Sequence, residues 1–199
     1  MSTRQQRNLP APASKKIYLY AAIAIVVIAA IAIIAQLNRA GSVPQAATDV
    51  TTPAVLTVGQ VAPEFVVSTT NGPFDLATHT GPTFLEVFAT WCPHCQREVP
   101  VLNALSDKYK GKIAFVSVSG SSRAGDGNSS ESQADVISFA TQLHVAYPIA
   151  YDPGLAVAKK YLGGGFPTMV LIDKNKKISK VLEGEVTQAD LEKAIQAVL

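Results

Sequence analysis

The chain has 199 residues, which is room for one ordinary globular domain and some extra sequence. Seventeen Lys and Arg against fifteen Asp and Glu give a net charge of +2, but residues 1–59 carry five cations and one acid (+4) while residues 60–199 carry twelve against fourteen (−2). The larger part therefore lacks the basic footprint of a nucleic-acid binder. Its two cysteines are too few for the disulfide framework of a small secreted fold.

Residues 1–16 form a polar, basic stub. Ile17 to Leu37 follows, 21 residues without a charge. At about 1.5 Å per residue a helix of that length spans roughly 30 Å, the hydrocarbon thickness of a bilayer. Tyr18 and Tyr20 stand at one end, where interfacial aromatics sit comfortably. A cleaved secretory signal has a shorter apolar region, about 7–15 residues, although Ala40 and Ala47 could follow such a pattern. A buried core helix would show a polar face. The expectation is an uncleaved transmembrane anchor. Arg4, Arg7, Lys15 and Lys16 precede it and only Arg39 follows closely, which predicts a cytoplasmic N-terminus and residues 38–199 outside the cytoplasm, on the periplasmic or cell-surface side. Residues 38–59 are small, polar and Pro-containing, a tether reaching roughly 25 Å root-mean-square.

A globular domain is expected over residues 60–199. Phe65-Val66-Val67 and Phe74-Asp75-Leu76 flank Thr70-Asn71-Gly72-Pro73, a hairpin signal. Thr83 to Ala89 reads as a buried strand ending at the cysteines. A helix is predicted from Pro93 to Tyr109, kinked by Pro100, then a strand over Ile113 to Ser119. Gly120 to Ala134 reads as a polar loop. Asp135 is expected to cap a helix through Leu143, followed by a short extended piece at Tyr147–Ile149. Pro153 opens a predicted helix to Leu162. After Gly163-Gly164-Gly165 come strands at Thr168–Ile172 and Ile178–Leu182, joined by a turn at Asp173–Lys176, and a last helix capped by Thr187. This order predicts an α/β domain, a mixed sheet with helices on both faces.

The chemistry concentrates in Cys92-Pro93-His94-Cys95. A disulfide-exchange centre needs one cysteine held as thiolate and a second to resolve the mixed disulfide. A helix N-terminus favours the thiolate, through unpaired N–H groups and the helix dipole. Cys92 precedes the helix and is the expected nucleophile, reacting faster and with a pKa below the free value of about 8.5. Cys95 lies one turn deeper, as the resolving thiol. A zinc site would usually want four Cys or His ligands, and beside the cysteines there are only His79, His94 and His144. A metal site and a plain structural disulfide remain as alternatives. Glu86, on the apolar strand, is expected to be buried with a raised pKa. Glu98 shares a helix face with Cys95. Both are candidates for moving protons. His94, between the cysteines, is a candidate donor or cation toward the thiolate. Trp91 either covers the disulfide or simply packs. His79 and His144 read as surface residues.

Phe88-Ala89-Thr90-Trp91-Cys92-Pro93-His94-Cys95 resembles the active-site segment of thioredoxins and, more narrowly, of the membrane-anchored TlpA/ResA-like proteins. The likeness covers roughly residues 58–199, with Phe166-Pro167-Thr168 and the turn DKNKK as its other strong parts. It implies a thioredoxin fold with a TlpA-type insertion at about residues 120–150. It also implies a cis, substrate-facing Pro167, with Phe166 and Pro93 in support, and active-site roles for Glu86 and Glu98. It further implies an extracytoplasmic, monomeric thiol-disulfide oxidoreductase, with no cofactor beyond a redox-active Cys92–Cys95 disulfide. Its expected partners are protein thiols and disulfides and a membrane electron donor or acceptor. Thiol peroxidases resemble P-x-x-x-T/S-x-x-C, which Leu85 and Ala89 do not match. Copper carriers of related fold have C-x-x-x-C rather than C-x-x-C. The resemblance implies a reductant, as in cytochrome c maturation, and thiolate stabilisation by His94 pulls toward an oxidase. One exposed histidine shifts the potential by only about 30 mV, so a reductant of intermediate potential is expected, with a disulfide-forming oxidase and a copper chaperone as the alternatives.

Overall fold

The computed structural model describes Ile25 and residues 55–199. Apart from Ile25, the expected stub and anchor, and the tether up to residue 54, lie outside the described residues. Among the described residues no helix is long and apolar enough to cross a membrane.

Across residues 55–199, seven strands and four helices run in the order β1 (Val66–Thr69), β2 (Gly72–Asp75), β3 (Thr83–Phe88), α1 (Pro93–Lys108), β4 (Ala114–Ser119), α2 (Gln133–Gln142), β5 (Ile149–Tyr151), α3 (Ala158–Tyr161), β6 (Thr168–Ile172), β7 (Ile178–Glu183) and α4 (Gln188–Gln196). They make one mixed sheet in the order β2-β1-β5-β4-β3-β6-β7. Strand β3 is parallel to β4 and antiparallel to β6, so it lies near the centre of the sheet, and all six of its residues are buried. That explains its near-continuous apolar run, since a central strand covered on both faces has no polar side to show.

Side-chain alternation sorts the core into two layers. Leu85 and Val87 point to the face covered by Ala62, Phe65, Leu76, Val157, Ala158 and Tyr161. Phe84 and Phe88 point to the other face, where they meet Leu102 and Leu105 of α1, Leu191 and Ile195 of α4, and Val136 and Phe139 of α2. Glu86 shares that second face, a carboxylate in an apolar layer. Gly120 marks a tight passage between β3 and α3. A β-carbon there would stand 2.5 Å from Val87 Cγ1 and 2.9 Å from Ala158 Cβ, so only glycine lets the chain leave β4 behind β3.

The structure departs from the sequence expectations in four places. The predicted helix from Pro153 to Leu162 shrinks to α3. The buried Asp152 carboxylate accepts from the amides of Ala156, Val157 and Ala158 at 2.9, 2.7 and 3.3 Å, and Leu155 is left-handed at φ 52°, so a side-chain-capped turn replaces the first helical turns. Ser132, not Asp135, caps α2, with Asp135 closing a capping box. The short strand lies at Ile149–Tyr151 rather than Tyr147–Ile149. His79 is half-buried against Phe74, its Nε2 is buried without a partner, and desolvation lowers its pKa. His144 is exposed as expected.

Candidate active site

The strand-to-helix junction after β3 assembles the site. Cys92 is the N-cap of α1, extended at φ −78° and ψ 117°, with no side-chain hydrogen bond of its own to the helix. Pro93 opens the helix, where its missing N–H costs nothing, and Pro100 lies within it. Both cysteines are free thiols. Cys92 is only 4% exposed, less than an attacking thiol at a helix start suggests, because Phe166 packs against the cluster that holds both cysteines. The Cys92 thiol donates to the Phe166 carbonyl at 3.5 Å, and the Phe166–Pro167 bond is cis. Thr168 secures that segment by donating to the Gly165 carbonyl at 2.7 Å and accepting from the Gly163 amide at 3.1 Å. The Gly184 amide donates to the Pro167 carbonyl at 2.8 Å, which brings the end of β7 to the same spot.

Beneath Cys92 the site is buried. Cys95 is 1% exposed, and burial, with the charge of Glu86 next in importance, pushes its thiol far above the ordinary range. Glu86 is fully buried and accepts from the Ser117 hydroxyl across the β3–β4 ladder. Desolvation outweighs that bond and lifts its carboxyl to about 7, with a further push from the charge of Glu98. Glu98 is 1% exposed. One oxygen accepts a long 3.4 Å bond from the Val186 amide, the other has no partner, and burial raises its pKa. Two carboxyls with raised proton affinity thus lie in the buried layer, Glu86 acting on the Cys95 thiol and Glu98 acting on Glu86.

The upper rim is charged and open. His94 Nδ1 lies 3.1 Å from Glu185 Oε2 and 2.8 Å from Arg97 Nη2. Arg97 also grips Glu185 through Nε and Nη2 at 3.1 and 2.8 Å. Trp91 stands 43% exposed, edge-on to Phe166 at 5.8 Å between centroids, its Nε1 donating to Ser121 Oγ at 2.8 Å. It neighbours a groove of about 700 Å³ bounded by Trp91, Ala124, Leu155, Leu162 and Phe166.

Three residues of this neighbourhood lie outside the sequence reading. Glu131, in the supposedly featureless loop, is buried and raised in pKa by desolvation. It accepts from Thr90 Oγ1 at 2.7 Å and from the Ser119 hydroxyl. Tyr147 is buried close enough to Glu86 for that carboxylate to add to the burial effect that raises its phenol. Glu185 completes the rim. A lone buried Glu in a Ser-rich loop was the one available signal, because its burial depends on a contact 41 residues away in sequence. Among the described residues no group of three or more His, Cys, Asp or Glu converges as a metal site.

The Redoxin family profile matches residues 57–198. Among curated proteins, the chain is 32% identical over 144 residues to the thiol-disulfide oxidoreductase ResA of Bacillus cereus, covering 71% of this chain and 78% of that one. It is 33% identical to the ResA of Geobacillus thermodenitrificans over the same shares. Among solved structures it is similar to a candidate thiol:disulfide interchange protein DsbE of Chlorobium tepidum, with TM-score 0.62 and 28% identity over 72% of this chain and 98% of that one.

Proposed function

We propose, on the premise that this chain belongs to the Redoxin family and is a thiol-disulfide oxidoreductase of thioredoxin-like fold, that it works outside the cytoplasm as a reductant of disulfides in envelope proteins, apocytochromes c among them. The carrying observation is the buried layer under Cys92. A Cys95 thiol buried beside Glu86 gains nothing from ionising. With no stabilised thiolate at Cys95, stabilisation of the reduced pair is left to Cys92 alone, and that shortfall favours the pair as a donor of electrons.

In the first step Cys92 attacks a substrate disulfide as thiolate, held by the α1 N-terminus. One substrate sulfur leaves and takes up a proton. Cys95 then gives its proton to Glu86 or Glu98 and attacks Cys92 Sγ, and the second substrate sulfur departs. The Cys92–Cys95 pair is oxidised, the substrate has gained two electrons and two protons, and no other cofactor takes part. Trp91, Phe166 and Pro167 form the surface that meets the substrate. A membrane electron donor restores the dithiol.

Three experiments test this reading. The full-length chain equilibrated with glutathione should show a potential well below that of the strongest thioredoxin-fold oxidants, which lie near −120 mV. Its Cys95→Ser variant should accumulate mixed disulfides while Cys92→Ser traps none. A potential near −120 mV, or rapid oxidation of a reduced unfolded protein, replaces the reductant with a disulfide-forming oxidase. The domain plan is part of the proposal: stub 1–16, anchor 17–37, tether 38–59, catalytic domain 60–199. A reporter fused after Leu199 should work only if it is one that functions outside the cytoplasm, and activity of a cytoplasmic reporter alone would reverse the topology.

A further inference from the structure

The rim of the site holds two side chains able to bring positive charge to Cys92, and one carboxylate meets both. Glu185 follows Gly184, whose amide is bonded to the Pro167 carbonyl, so the backbone itself delivers Glu185 to the cysteines. Arg97 reaches it with Nε and Nη2, and the same Nη2 lies 2.8 Å from His94 Nδ1. That geometry constrains the protons. A guanidinium only donates, so the Arg97–His94 contact is a hydrogen bond only with His94 accepting at Nδ1. The 3.1 Å approach of Nδ1 to Glu185 is a bond only with Nδ1 protonated. In either state of the ring, Nδ1 is committed to Arg97 or Glu185. The one permanent cation of the group is Arg97, near enough to Cys92 for a thiolate there to strengthen the hold of Arg97 on its proton.

We propose that Glu185 is a positioning residue that sets the redox balance of Cys92 and Cys95 by holding Arg97 and His94 in a charge-compensated cluster beside Cys92. Positive charge left free beside Cys92 would stabilise its thiolate, favour the reduced pair and turn the protein toward oxidation. Glu185 removes that charge from the account at an open site, where a single carboxylate is reachable without disturbing the buried Glu86–Ser117 layer. The anionic end of the cluster is secure, since the Arg97 and His94 contacts hold the Glu185 carboxyl down at about 2.

The inference rests on Cys92–Cys95 being the redox centre, and its test is a difference between variants rather than an absolute value. The reaction is protein dithiol plus glutathione disulfide giving protein disulfide plus two molecules of glutathione, measured on the full-length chain. Glu185→Gln should lower the equilibrium constant about tenfold at low ionic strength, equivalent to about +30 mV. Arg97→Gln should raise it, and adding Glu185→Gln to Arg97→Gln should change it no further. The Glu185→Gln effect should shrink in 1 M salt, where the screening length falls to about 3 Å. A constant unchanged or raised in Glu185→Gln overturns the proposal. So does an effect that survives in the Arg97→Gln background or is indifferent to salt, since that would mark a merely structural role through the neighbouring Val186–Glu98 bond. A strongly oxidising parent with the predicted differences intact would sink the reductant reading alone. A parent that exchanges no disulfide with glutathione would sink both.

Discussion

Glu86 and Glu185 are the same residue type on two sides of the same cysteines, and they behave oppositely. Burial lifts the carboxyl of Glu86 to about 7, against a single hydrogen bond from Ser117. An arginine and a histidine hold that of the solvent-facing Glu185 at about 2. The inner layer around Cys95 is buried and, among the described residues, its carboxyls have no cation beside them to hold them ionised, so they are poised to take and release protons. The rim is wet and balanced, so its carboxylate stays ionised and acts only through its field. A disulfide-exchange site needs both: proton acceptors for the resolving thiol, and a fixed potential around the attacking one. Separating them by depth lets each be set without upsetting the other.

Glu86→Gln tests the inner layer hardest. Losing a positioned proton acceptor should slow insulin reduction by about 100-fold, the lower range for general base catalysis. It should also erase the fall in rate that protonation of Glu86 causes below about pH 7. The same change should stabilise the protein. Because the folded pKa is raised above the unfolded one, the contribution of Glu86 to stability is present below pH 4.5 and is lost as pH rises through about 7. Above pH 7 the glutamine variant is relieved of a buried charge, worth at most roughly 3 kcal/mol. Denaturant titrations at pH 5 and pH 8 should therefore show the gain only at the higher pH. A slower enzyme with no stability gain would break the contrast between depth and rim.

Glu131 sharpens the contrast with a smaller effect. It is as buried as Glu86, yet its two oxygens serve Thr90 and Ser119, so it acts as a fastener. Glu131→Ala leaves two hydroxyls unpaired and should cost about 1–3 kcal/mol by thermal denaturation, with faster amide exchange in residues 120–132. Loss of redox activity without loss of stability would instead class it with Glu86.

Local signals in the sequence reached far into this protein, and contact between distant segments marks where they stopped. The order of strands and helices follows from apolar runs and turn residues, and the closeness of Cys92 and Cys95 from a spacing of three. Glu86 was legible because a lone acid in TFLEVFA has nowhere to go but inward. Glu131 and Glu185 were not, since each is placed by a partner 41 to 91 positions away in sequence. The segment after Pro153 misled for a related reason: its helical pattern is sound, but the Asp152 carboxylate takes the amides first. His94 was legible as a residue and not as an orientation, because a sequence cannot say toward which charge an imidazole turns.

Trp91 is the only tryptophan of the chain, and it sits where the cysteine loop meets Ser121. Indole emission from this protein is therefore a local gauge of that junction, whereas far-ultraviolet dichroism averages over the sheet and helices. A denaturation followed by both lights need not give one curve. Any gap between the two midpoints measures how readily the segment from Ser121 to Glu131 opens while the rest stays folded, a free energy of local opening obtained with no label attached.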